Sequence, residues 1–103
     1  MARPGRQPET RGFLAERYWP GSDAADARSA VLRIGAQIEA LTREGSPVQA
    51  IACTHVPREQ VVLCVVRATS ADVVAELGRR ADVPFDRIVD AVVYAPVDER
   101  LTR

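Results

Sequence analysis

The one histidine and the two cysteines of the chain lie within the stretch CTHVPREQVVLC, residues 53–64. Imidazole nitrogen and thiolate sulfur are ligands that zinc, nickel and other divalent metals accept in proteins. The Cys-X-His spacing puts Cys53 and His55 on one side of an extended strand, so a metal could be held by Cys53, His55 and Cys64 with one borrowed ligand. The alternative also stands, because free cysteines are often buried simply as small apolar side chains.

His55 has a second possible role as a general base, since the pKa of an ordinary imidazole lies near working pH. It could equally bond to water or to a turn near the end of an edge strand. A disulfide between Cys53 and Cys64 is geometrically conceivable, but a reducing cytosol disfavours it.

Two acidic residues outside this stretch are candidates for acid–base chemistry. Glu16 and Asp90 fall on different predicted strands and could act as a pair of carboxylates in catalysis. Salt bridges to neighbouring arginines at an interface are the competing interpretation. Tyr18 and Tyr94 are the aromatic residues that could orient a ligand beside them.

The elements that position these residues follow from apolar periodicity and turn residues. Ser22 or Asp23 is expected to cap a first helix whose apolar face is Ala27, Val31, Ile34, Ile38 and Leu41. TSAD, residues 69–72, begins a second helix with Val73, Val74, Leu77 and Ala81 inward. The predicted strands are residues 12–19, 48–56, 61–68 and 86–95.

The order of elements is β-α-β-β-α-β, which predicts an α+β protein of the ferredoxin-like type. This plait is a four-stranded antiparallel sheet with both helices on one face. The domain is expected to cover residues 12–96, between a flexible tail at 1–11 and a polar tail at 97–103.

The third and fourth predicted strands are apolar on both faces, whereas two helices can cover only one. A second copy of the chain is the simplest cover for the other face, and it would give a homodimeric α+β barrel that encloses a pocket.

The turn PREQ, residues 57–60, predicts that Cys53 lies opposite Cys64 and His55 opposite Val62. By elimination the cysteine face is assigned to the open side of the sheet, with the small residues of the second strand left to the helices. We therefore expect the open face to collect Glu16, Tyr18, Cys53, His55, Cys64, Asp90 and Tyr94.

Composition excludes several classes of function. Fourteen arginines balance fourteen acidic residues, so there is no positive field for nucleic acid. The chain shows no secretory signal, no membrane-spanning run and no glycine-rich phosphate loop, so a cytoplasmic protein without an organic cofactor is expected.

Three segments, ERYWPG (16–21), THVP (54–57) and VPFDRIVDAV (83–92), resemble a family of small bacterial nickel-binding proteins whose domain is otherwise of unknown function. The resemblance covers about residues 12–95 and implies a homodimeric ferredoxin-like barrel with possible nickel binding.

Two hypotheses of function follow. The first is a homodimer that binds a divalent metal, nickel first, on its open sheet face through His55, Cys53 and Cys64. The second is an enzyme of the cyclase, isomerase or monooxygenase type acting on a hydrophobic biosynthetic intermediate in the barrel pocket, with Glu16, His55 or Asp90 as acid or base.

Overall fold

The computed structural model describes residues 9–94 of the chain. Within this range the elements are β1 (Arg11–Tyr18), α1 (Ala24–Arg43), β2 (Val48–Val56), β3 (Val61–Ala68), α2 (Ala71–Arg80) and β4 (Arg87–Asp90), with a 3₁₀ turn at Pro57–Glu59. The fourth strand is shorter than the sequence predicts. Residues 97–103 and residues 1–8, where the two tails are expected, lie outside the described range.

The four strands form one antiparallel sheet in the order β2-β3-β1-β4. Strands β1 and β3 are central, strands β2 and β4 lie at the edges, and each crossover brings a helix back across the sheet. The predicted α+β, ferredoxin-like arrangement is therefore confirmed. No helix in the described part of the chain is long and apolar enough to cross a membrane.

The hydrophobic core lies between one sheet face and the two helices. Phe13, Val62 and Val66 are almost fully buried on the strands. They pack in one cluster with helical side chains, chiefly Ile34 of α1 and Leu77 of α2. Because both helices contribute to this single cluster, they cover the same face and leave the other face of the sheet open.

The burial of α1 departs from its predicted apolar face at one position. Ala27, Ala30, Ile34 and Leu41 are buried along this helix. Val31 was expected to face inward, yet 42% of it is exposed. The buried stripe is therefore centred on Ala30 and Ile34, which are 0% and 1% exposed.

A capping box fixes the start of α1. The Asp23 carboxylate accepts from the Asp26 N–H at 2.8 Å, and the Asp23 N–H donates to the Asp26 carboxylate at 2.9 Å. Such reciprocal bonds satisfy donors that a helix terminus otherwise leaves open. The backbone hydrogen bond from Asp26 lowers the pKa of Asp23 from its ordinary value of 3.8.

Replacing Asp23 by Asn is expected to reduce the dependence of stability on acid pH. Because the folded pKa of Asp23 is depressed, its contribution is present above the unfolded pKa and is lost as pH falls through the folded pKa. Asn keeps a capping oxygen but does not titrate. The melting temperature of Asp23→Asn should therefore fall less than that of the wild type between about pH 5 and about pH 2. Parallel curves for the two proteins would contradict a titrating cap.

Candidate functional site

The cysteine face of the hairpin is covered by the helices, so its assignment to the open side was wrong. The predicted pairing itself is confirmed, with Cys53 opposite Cys64 and His55 opposite Val62. Cys64 and Val62 are 0% and 1% exposed beneath the helices. The strand residues that meet the helices are thus the Val and Cys set of β3, together with Phe13 and Ala15 of β1.

A β-bulge explains part of this error. The register of β2 shifts between Ala50 and Ala52, so that Ala50 lies opposite Val66 and Ala52 opposite Val65. The extra residue is Ile51, which has no partner on β3. Strict alternation puts the small residues Ala50, Ala52 and Thr54 of this strand on one side, whereas the bulge moves Ala50 to the side opposite Ala52 and Thr54, which the helices cover.

The structure does not bring the two predicted carboxylates together. Asp90 lies opposite Phe13, whereas Glu16 lies opposite Arg87. Positions 13 and 16 differ in parity along β1, so Asp90 and Glu16 belong to different faces of the sheet. Asp90 is exposed at the end of β4, beyond the helix-covered core. Tyr94 follows β4 and is 84% exposed.

Glu16 and Tyr18 do lie on the open face, where their neighbours are mostly apolar. Leu14 lies between Val65 of β3 and Val89 of β4. Glu16 lies opposite Leu63, and Tyr18 opposite Val61. These positions are half-buried, apart from Tyr18, of which 56% is exposed. The open face is defined here by Leu14, Glu16, Tyr18, Val61, Leu63, Val65 and Val89.

Glu16 supplies a carboxylate near the centre of this apolar face. Its Oε2 lies 3.4 Å from Nη1 of Arg87, and only 27% of its side chain is exposed. The backbone oxygen of Glu16 also accepts from the Asp86 N–H at 2.7 Å, which holds the start of β4 beside β1. A carboxylate partly withdrawn from water and paired with one cation can bind a polar group of a ligand or exchange a proton with it.

Close contacts to the backbone of residues 91–93 shape one end of the open face. The Ala91 N–H donates to the Gly12 oxygen at 3.0 Å, and Nη2 of Arg67 donates to the Val93 oxygen at 3.2 Å. A Cβ atom at Gly12 would overlap the Ala91 oxygen and the Val93 side chain. Residues 91–93 therefore cover this end of the sheet, and glycine at position 12 permits their approach.

The other end of β1 is fixed by Asp86, which sequence reasoning missed as a site residue. Its Oδ2 accepts from the Tyr18 N–H at 2.7 Å, and its Oδ1 lies 3.7 Å from Nη1 of Arg17. These contacts orient the strand end that carries Tyr18. An acid at the first position of the predicted fourth strand is the only signal in the sequence, and it does not identify the partner.

His55 contacts the loop before α1 rather than the cysteines. Its Nε2 lies 3.2 Å from Oγ of Ser22, which in turn donates to the Trp19 oxygen at 2.8 Å. With the hydroxyl hydrogen committed to Trp19, Nε2 is assigned as the donor to Ser22. This arrangement ties the loop to β2 and matches a structural role for His55.

Cys53 and Cys64 lie directly opposite each other on β2 and β3. Hydrogen bonding from the Cys64 thiol lowers the pKa of Cys53 below its ordinary value. The same contact and burial raise the pKa of Cys64. The two sulfurs therefore differ in chemistry although they lie side by side: Cys53 is the easier one to deprotonate.

These residues do not fit a nickel site. No three His, Cys, Asp or Glu side chains between residues 9 and 94 converge as possible metal ligands. Cys64 is closed to solvent, and His55 faces Ser22. The metal role implied by the family resemblance stays a prediction, without a donor set in the described part of the chain.

Comparison with known proteins supports the fold class of the chain but does not indicate its function. No family model and no curated protein matches the chain. Among solved structures, the crystal structure of SCO4226 from Streptomyces coelicolor A3(2) matches with a TM-score of 0.68 and 19% identity. The match covers 82% of this chain and 99% of that one. At this identity the likeness shows a shared fold and carries no function.

Proposed function

We propose that the chain acts in the cytoplasm as a homodimeric binding protein, in which two open sheet faces pack together around a small, largely apolar molecule. The observation that carries the proposal is a sheet face that neither helix covers within residues 9–94, with apolar residues on its strands and one carboxylate, Glu16, among them. Small-molecule sites commonly have this character, an apolar lining with a few placed polar groups.

A second copy is a physically suitable cover for this face. Burial of apolar surface contributes about 25 cal/mol per Å², so leaving a sheet face in water forgoes a large stabilisation. In a twofold dimer the same surface of each copy forms the interface. If that surface carries both positive and negative residues, a positive residue of one copy can lie opposite a negative residue of the other. Glu16, Arg87 and Arg67 supply both signs on this face.

An enzyme without an organic cofactor is the second candidate, and the shielded carboxylate favours it. Glu16 would serve as acid or base, and Tyr18 would orient the substrate at the rim. His55 and Asp90 cannot join Glu16 on this face, because their strand positions point to the other side. If the protein is such an enzyme, Glu16→Gln should abolish turnover of the bound molecule and leave the dimer intact.

The first part of the test is the mass of the protein in solution. Light scattering at micromolar concentration is expected to give about twice the 11.2 kDa mass of the chain. A folded protein that stays monomeric at this concentration would overturn the proposal.

The second part of the test is the titration of the dimer with ANS, an anionic apolar dye. We expect a saturable rise in fluorescence. Glu16→Gln should tighten binding several-fold, because it removes a negative charge beside the dye. Glu39→Gln is the matched control, since Glu39 lies on α1 beside a surface depression lined by Ile38, Thr42 and Arg43. Tighter binding in Glu39→Gln alone would place the dye on the helix and contradict the proposed pocket.

Calorimetric titration with nickel(II) tests the metal hypothesis against this proposal. We expect no stoichiometric binding that depends on His55. If the wild type binds nickel stoichiometrically and His55→Ala weakens this binding at least tenfold, the protein is a metal-binding protein and the proposal of an apolar ligand is wrong.

A further inference from the structure

The two cysteines occupy a geometry that permits a covalent bond. Cys53 and Cys64 are direct partners on antiparallel strands β2 and β3. Such partners have Cα atoms about 4.5–5.5 Å apart. A disulfide requires Cα separations of about 4.4–6.8 Å, so the bond needs no large movement of the backbone.

The two thiols differ in access. Cys53 is half-buried on β2, which is an edge strand of the sheet, whereas Cys64 is fully buried on the central strand β3. Cys53 is therefore the more accessible of the two residues to a small oxidant. The lowered pKa of Cys53 adds to this contrast, because the thiolate is the nucleophilic form.

We propose that Cys53 and Cys64 are a redox modification site, at which a small hydroperoxide forms an intrachain disulfide between β2 and β3. The Cys53 thiolate attacks a peroxide oxygen, the O–O bond breaks, and the alkoxide or hydroxide that leaves takes up a proton. Cys53 is then a sulfenic acid. The Cys64 sulfur attacks it, the S–O bond breaks, and the departing hydroxide combines with the Cys64 proton as water.

The electrostatics of the pair favour this order of events. The hydrogen bond to Cys53, burial and the charge of the Cys53 thiolate, in this order, raise the pKa of Cys64. Oxidation of Cys53 to a neutral sulfenic acid removes that charge. Cys64 can then lose its proton more easily at the moment when its sulfur is needed.

The disulfide would join β2 to the central strand on the helix-covered face. It is therefore separate from the open face and does not depend on the proposed ligand or dimer. A reversible disulfide of this kind is compatible with a reducing compartment, where such bonds are transient or redox-sensing.

The test is treatment of the folded protein with hydrogen peroxide, followed by intact mass spectrometry without reductant. The wild type is expected to lose two hydrogen masses and both free thiols, and to regain them with a dithiol reductant. Circular dichroism before and after treatment reports whether the protein stays folded.

Two single variants resolve the order of the steps. Cys64→Ala should stop at a sulfenic acid on Cys53, seen as one added oxygen and trapped by dimedone. Cys53→Ala should stay unmodified, because Cys64 is closed to solvent. The proposal is overturned if the folded wild type keeps both thiols, gains only oxygen, or joins cysteines between chains. Equal reactivity of the two single variants would overturn the assigned order.

Discussion

Gly78→Ala is expected to destabilise the protein, although glycine-to-alanine changes inside helices ordinarily stabilise. A Cβ atom at this position of α2 would lie 2.6 Å from Cδ2 of Phe85 and 2.7 Å from the Val83 oxygen. The Val83 N–H also donates to the Gly78 oxygen at 2.8 Å, so the chain after α2 is held against this glycine. Overpacking of this kind costs about 1–3 kcal/mol in free energy of unfolding.

Gly35→Ala on α1 is the matched control. Nothing lies within 4 Å of a Cβ atom at Gly35, and that position is exposed. There the change should raise the free energy of unfolding by about 0.4–1 kcal/mol, because alanine restricts the unfolded chain and favours the helix. Urea denaturation of both variants measures the two signs. Stabilisation in both would mean that the segment after α2 does not pack on Gly78.

The order of elements could be predicted because each one carries a local signal. The spacing of apolar residues, Asp23 before α1 and Ser70 before α2 mark the helices. The hairpin turn fixes the pairing of Cys53 with Cys64, because register follows from loop length. These signals act over a few residues and need no knowledge of the rest of the chain.

The face of the sheet that the helices cover could not be predicted in the same way. Both faces of β3 are apolar, so alternation gives no preference for Val62 and Cys64 over Leu63 and Val65. The choice is made by packing against Ile34 and other helical residues distant in sequence. The bulge at Ile51 carries no recognisable signal either, since isoleucine is equally common at regular strand positions.

Consequently the residues of the predicted site lie on two different faces of the sheet. Glu16 and Tyr18 lie on the open face, whereas the cysteines and His55 lie on the face that packs against the helices. A set of residues chosen by chemical type alone mixes the two sides of a sheet whenever the parity of one strand is assigned wrongly. The proposed ligand pocket lies on one side of the sheet and the thiol pair on the other.

The open face can be tested by placing a charge in it, and Val65→Lys is expected to convert the proposed dimer into folded monomers. Val65 lies on β3 between Leu14 of β1 and Ala52 of β2, so its neighbours across both strands are apolar. A homodimer would bury the new ammonium group twice, with Arg67 nearby on the same face of each copy. The carboxylate on this face, Glu16, is already paired with Arg87, so it does not compensate the added charge. An ion removed from water without compensation costs several kcal/mol, which exceeds what a small interface can offset.

Val31→Lys makes the same chemical change outside the sheet, on α1, where 42% of the valine is already exposed. This control should keep the mass of the wild type, since the new charge remains in water. Light scattering over a range of concentrations gives the masses, and circular dichroism shows whether each variant is folded. If the Val65→Lys protein is folded and still dimeric, the open face is not the interface. If both variants dissociate, the interface includes α1.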